Sequence, residues 1–243
     1  MRTRFSRGLS AALVVSSLAL SAAACGGDDT KDDAKKDGAD KPAASASATP
    51  AAPAPAKPLT DAQMKAAALE LKDLPSGWKA TKPEADPTVY KTDKAECEPI
   101  AAVMDDKIAG ATKGASVDFA LGKNESELSQ EVVNFSGTGA ADFTKKLAAA
   151  VDACADFTVD AGGEKMKAGA KKLTAPAGAE EAVAFAFALE VAPGMKVEPN
   201  VVVARQGTGL FRLMYLADTA AGKKDFEALT KTATDKFVKA AQG

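Results

Sequence analysis

The sequence predicts an α+β fold: a largely antiparallel sheet with helices packed on it and set to one side, in a single domain spanning residues 59–243. Three observations carry this. Alternating apolar runs crowd the second half of the chain, segments of helical period stand at the two ends and in the middle, and short turn-like segments join the strands. A doubly wound parallel sheet would need strict alternation of strand and helix, which the second half lacks. About 185 residues fit one domain of ordinary size, and no internal repeat is apparent.

The first helix is well signposted. Thr60-x-x-Gln63 is a capping box, and Leu59 with Met64 forms a hydrophobic staple across it. The helix is expected over 61–72, with Met64, Ala67, Ala68 and Leu71 inward, ending before Pro75. Cys97, Ile100, Ala101, Met104 and Ile108 share one helical face, and Phe143, Leu147, Ala150, Val151 and Cys154 share another. Strands follow from alternation over 116–121 and from 131–135. Over 183–191, Phe185, Phe187, Leu189 and Val191 face one way and Ala184, Ala186 and Ala188 the other. That small-residue side suits either a closely packed helix or a shallow wet surface. Segments 201–205 and 209–217 flank Gln206-Gly207-Thr208-Gly209 as a hairpin. About four strands are expected between the middle and last helices. The last helix, 223–241, places Phe226, Leu229, Ala233 and Phe237 on one face.

The start of the chain reads as an export signal: Arg2, Arg4 and Arg7, an apolar run over 9–20, then small residues up to Cys25. The run is shorter than the ~20 residues that span a bilayer. Ala22-Ala23-Ala24-Cys25 resembles the lipobox of actinobacterial lipoproteins, with Ala22 where Leu is usual. That resemblance implies cleavage after residue 24 and a diacylglyceryl group on Cys25, whose two acyl chains suffice for stable anchoring. Residues 26–58 have no aromatic residue and only Ala and Pro as apolar content, so they are expected to form a disordered tether, Asp/Lys-rich and then Ala/Pro-rich. The expected location is the outer face of the cell membrane. Removing three leader arginines from 31 basic side chains leaves 28 against 33 acidic ones, a net charge of about −5. No basic patch interleaved with aromatics marks a nucleic-acid partner.

With Cys25 assigned to lipid, Cys97 and Cys154 remain. In an exported chain such an even pair predicts a disulfide rather than a metal or nucleophile site. The chain has no histidine, which removes Ser-His-Asp and Cys-His catalysis, His-ligated zinc and the usual base near neutral pH. Asp105-Asp106 and Glu180-Glu181 are adjacent, do not face one another on a helix, and read as solvated. No catalytic residue, metal or cofactor is expected. Candidate ligand-binding residues are three. Arg205 and Arg212 lie on the predicted hairpin of a chain whose other mature cations are almost all lysine. They serve either as forks for carboxylate or phosphate or as solvated residues bridged to Glu190 or Asp218. Trp78, following Pro75 and Gly77, either covers the core edge or walls a cleft.

The leader, Asp73-Leu74-Pro75-Ser76-Gly77-Trp78 after a short helix, and two widely spaced cysteines before a strand-rich half resemble lipoproteins related to the extracellular sensor domain of PknH-like serine/threonine kinases. The resemblance covers most of 59–243. It implies an antiparallel sheet with flanking helices around a cleft and an unidentified ligand. Those sensor domains carry two disulfides, whereas this chain can form one. The expected function is a non-catalytic ligand-binding or sensing module, its ligand a small molecule, peptide or cell-wall fragment. The alternatives are a scaffolding lipoprotein docked on an envelope complex and a hydrolase using carboxylates alone.

Overall fold

The computed structural model describes residues 57–122, 126–217 and 220–243. The expected leader, Cys25 and the tether through residue 56 lie outside the described residues. The capping box forms as the sequence requires: Gln63 N–H donates to Thr60 Oγ1 at 3.2 Å, and Thr60 N–H donates to Gln63 Oε1 at 3.0 Å. Helix α1 (Asp61–Ala67) nevertheless stops before Lys72, with Ala68 extended. The reason is the next residue. Leu69 is buried and its N–H donates to Gln130 Oε1 at 2.7 Å, a contact that a continuing helix would consume. Leu71, expected inside, is 49% exposed.

The strands are β1 (Trp78–Thr81), β2 (Tyr90–Thr92), β3 (Ala111–Leu121), β4 (Ser126–Phe135), β5 (Phe157–Ala161), β6 (Glu164–Lys172), β7 (Glu181–Ala192), β8 (Met195–Val197), β9 (Asn200–Gln206) and β10 (Gly209–Ala217). They form one antiparallel sheet in the order β1-β3-β4-β10-β9-β7-β6-β5-β2, with β8 paired to β7. The remaining helices are α2 (Glu98–Met104), α3 (Gly139–Ala153) and α4 (Ala220–Gln242). Ile108 is buried beyond the end of α2 rather than on it.

Helices cover both faces of the sheet, not one. The period-2 pattern of β7, β9 and β10 explains this, because both sides of these central strands are apolar. Phe185, Phe187, Val201, Val203 and Leu210 face α2, α3 and the cystine. Ala184, Val202, Ala204, Phe211, Leu213 and Tyr215 face α1 and α4. The alanine side of β7 is therefore covered by a helix layer at Ala184 and left half-exposed at Ala188. On α4 the expected face is buried, and Phe237 meets Phe211 edge to face, ring centroids 5.2 Å apart. Full burial of each such ring contributes roughly 2–3 kcal/mol. Cys97 and Cys154 are bonded, Cα atoms 5.8 Å apart, joining the start of α2 to the end of α3.

Strands β1, β2, β5, β6 and β8 were not among the segments the pattern predicts; they are short, lysine-rich or pair along one side only. The two outermost strands are joined by residues 82–89 alone. A flat sheet of nine strands is ~38 Å wide, whereas that connector reaches only ~30 Å fully extended. The sheet therefore curls, and the connector crosses its α2/α3 face as a strap.

Candidate functional site

Along one face of β4, Phe135 and Val133 belong to the apolar core beneath the helices, while Glu131, Ser129 and Glu127 follow them on the same side. Leu210 gives way to Arg212 and Met214 on β10 in the same manner. The polar residues begin where helical cover ends and the strap takes over. Beneath the strap lie two adjoining cavities of about 400 and 510 Å³, which share Glu84, Asp118, Ser129 and Met214. Together they form one trough, with Tyr90 and Met104 at its helix end and Pro199 and Leu216 at the other.

The floor carries a charge ladder. Arg212 Nη2 lies 2.6 Å from Glu131 Oε2, directly across the β4–β10 pair, and its Nη1 donates to the carbonyls of Val103 and Asp105. Arg212 thereby satisfies carbonyls at the C-terminal end of α2 that the helix leaves unpaired. Lys113 pairs with Glu131 at 3.1 Å and with Asp106 at 2.9 Å. Lys113 in turn holds the Asp106 carboxyl below its usual range. Burial works against the Lys113 ammonium, but bonding to Asp106 and Glu131 outweighs this and raises its pKa.

Asp118 differs from these: among the described residues no ion pair reaches it, and burial, then the neighbouring Glu127 charge, raise its pKa against the smaller opposing pull of Lys113. The floor cations Lys113 and Arg212 are bonded to other partners, so Asp118 faces the trough with only the nearby Lys113 charge to offset it in part. At the helix end, burial and then a hydrogen bond to Asp86 push the Tyr90 hydroxyl up to about 12. Among the described residues no group of three carboxylates converges to hold a metal ion.

Of the three ligand candidates, the trough contains only Arg212. Arg205 is taken by Glu180 at 2.5 Å and Glu181 at 3.0 Å, and it also donates to the Gly207 carbonyl. Among the described residues its partners are thus not Glu190, and Asp218 lies outside the described residues. Trp78 is 4% exposed and packs on Tyr215 in the core of the opposite face, so it walls no part of the trough. The acidic pairs are engaged as well: Asp105 Oδ1 accepts the Tyr90 N–H at 2.9 Å and Asp106 pairs with Lys113, both half-buried, while Glu180 and Glu181 stay exposed to solvent as they clamp Arg205. Sequence pattern missed Asp118, Ser129 and Glu131 because alternation marks a polar strand side as solvent. The usable signal was Pro83-x-x-x-Pro87, a stiff segment unlike a simple turn.

No family model matches the chain, and no curated protein matches it in sequence. Among solved structures, a putative uncharacterized protein from Mycobacterium smegmatis, the Rv0999 ortholog, aligns with a TM-score of 0.43 at 11% identity, over 74% of this chain and 97% of that one. The crystal structure of the extracellular domain of PknH from Mycobacterium tuberculosis aligns with a TM-score of 0.54 at 16% identity, over 77% of this chain and 98% of that one. The likeness to the PknH domain is one of fold.

Proposed function

We propose that this protein is a lipid-anchored extracytoplasmic module that binds a ligand without catalysis, in the trough beneath the strap. The observation that carries the reading is Asp118, a partly desolvated carboxyl that no ion pair among the described residues reaches, lining a trough whose floor cations, Lys113 and Arg212, are already paired. Such a group is costly unless a partner arrives. It favours a ligand that presents a cationic or hydrogen-bond-donating group to Asp118 and apolar surface to Met104 and Met214. Support for the location comes from the Cys25 lipobox and from the fold shared with an extracellular domain.

Thermal shift with amine-bearing cell-wall fragments, short basic peptides and envelope lipids tests this. A true ligand at 100 times its Kd stabilises by ~2.7 kcal/mol, or roughly 5–10 °C for a domain of this size, and Asp118→Asn removes the shift. No shift with any class, or a shift that survives Asp118→Asn, counts against the trough. The scaffolding reading draws on a different surface, the groove between α1 and α4 lined by Ala62, Ala66 and Ala240. Crosslinking in intact cells that captures a protein partner through this groove, with no small-molecule response, would favour it.

A further inference from the structure

Among the described residues, only the two ends of the strap are bonded to the sheet and helices. Thr81 pairs with Asp118 in the sheet, and Tyr90 pairs with Ala161 while its N–H reaches Asp105. Between these points, the hydrogen bonds of residues 82–89 among the described residues are local: Thr88 N–H to Asp86 Oδ1 at 2.9 Å, and Tyr90 O–H to Asp86 Oδ2 at 2.8 Å. No hydrogen bond or ion pair among the described residues ties this span to Asp118, Ser129, Glu131 or Arg212 below it. Residues 82–87 and Val89 are exposed, Val89 to 59%. The span is nonetheless stiff, because Pro83 and Pro87 fix their own φ and restrict Lys82 and Asp86 before them. A stiff segment held only at its ends moves as a unit about those ends.

We propose that residues 82–89 are a lid over the trough, with the Asp86–Tyr90 hydrogen bond as its latch. The inference rests on reading the trough as the ligand site, and it assigns that site a gate. Tyr90 is placed for the role: its ring packs against the α2/α3 core, while its hydroxyl holds the strap. Loss of this bond leaves the ring anchored and frees the span. Asp86 carries the other half on an exposed side chain, and its turn to Thr88 shapes the strap close to the bond.

Thiol accessibility tests the lid without any ligand. In the mature, lipidated chain carrying Ser129→Cys, the introduced thiol is the free one, because Cys97 and Cys154 are bonded and Cys25 carries lipid. Ser129 lines both cavities under the strap. N-ethylmaleimide is expected to modify S129C at least tenfold more slowly than a Met195→Cys control, whose native side chain is 60% exposed. Adding Tyr90→Phe, or separately Asp86→Ala, should speed S129C modification about fivefold, the factor that one hydrogen bond of ~1 kcal/mol supplies, and leave M195C unchanged. Equal rates at S129C and M195C in the parent protein would overturn the lid. So would an unchanged S129C rate in both latch variants. Since the readout needs no ligand, gated modification with no thermal shift would fault the binding reading alone, and binding without gating would fault the lid alone.

Discussion

Replacing Arg212 with Met removes the most enclosed cation of the floor. Its side chain is 11% exposed and that of Glu131 only 6%. Met fills most of the arginine stem's volume, so what is lost is the charge, the cross-strand pair and two hydrogen bonds to the carbonyls of Val103 and Asp105. Breaking one side of a buried pair costs ~3–5 kcal/mol, because the surviving charge stays desolvated. Here Lys113 still reaches Glu131 at 3.1 Å, which argues for the lower end, ~3 kcal/mol. For a domain of this size that lowers Tm by roughly 6–12 °C. Glu131→Leu alone should be destabilising for the complementary reason. The double variant Glu131→Leu/Arg212→Met removes both charges and should lie within ~1–2 kcal/mol of the parent, since apolar replacement of a buried pair is often neutral. Urea denaturation of the parent, both singles and the double gives the coupling energy directly. Strict additivity of the singles, or a loss below 1 kcal/mol in R212M, refutes the buried-ladder account.

Asp118→Asn should raise Tm at neutral pH while abolishing ligand response: its folded pKa lies above the ordinary value, so the carboxylate opposes folding once pH exceeds that value, and calorimetry at pH 4 and 7 should show the gain only at the higher pH. Asp106 behaves oppositely. Its depressed pKa stabilises the fold above the ordinary carboxylate range and the contribution is lost as pH falls below that range through the folded value, so Asp106→Asn should flatten the acid limb of the stability profile, measured by calorimetry. Reducing the bond between Cys97 and Cys154, which are 57 residues apart, should cost ~4 kcal/mol by loop-closure entropy, measured as the change in urea midpoint with reductant. Gly169→Ala should cost at least 2 kcal/mol, because an added Cβ meets the Ala155 carbonyl, a backbone atom that cannot swing away; Gly137→Ala, where the space is empty and only a φ of 56° opposes, is the contrasting measurement.

Legibility in the sequence followed burial on two sides. The phenylalanine row of β7, the 206–209 hairpin and the apolar face of α4 were readable because large side chains there recur at one period against a helix layer. Segment 164–172 was not, since Lys165, Lys167, Lys171 and Lys172 hide a strand whose inward residues are the small Ala168 and Ala170 and the half-buried Met166. The end of α1 was misplaced because propensity favours helix through Lys72, while a side chain far along the chain, Gln130, claims the Leu69 N–H. Arg212 was picked out by residue type alone. Its partner Glu131 lies 81 positions away in sequence and becomes its neighbour only through β4–β10 pairing, which no local pattern reveals.

The connection from one sheet edge to the other also sets an order of assembly. β1 and β2 are made early in the chain, yet they pair with β3 and β5, and Leu59 and Met64 complete a core with Phe211 and Phe237. A chain made N-terminus first cannot complete its leading segment until the last hairpin and helix have arrived. Long-range closure of this kind slows folding. Leu59, Met64 and Leu69 therefore stay uncovered until β10 and α4, the last elements of the chain, pack against them.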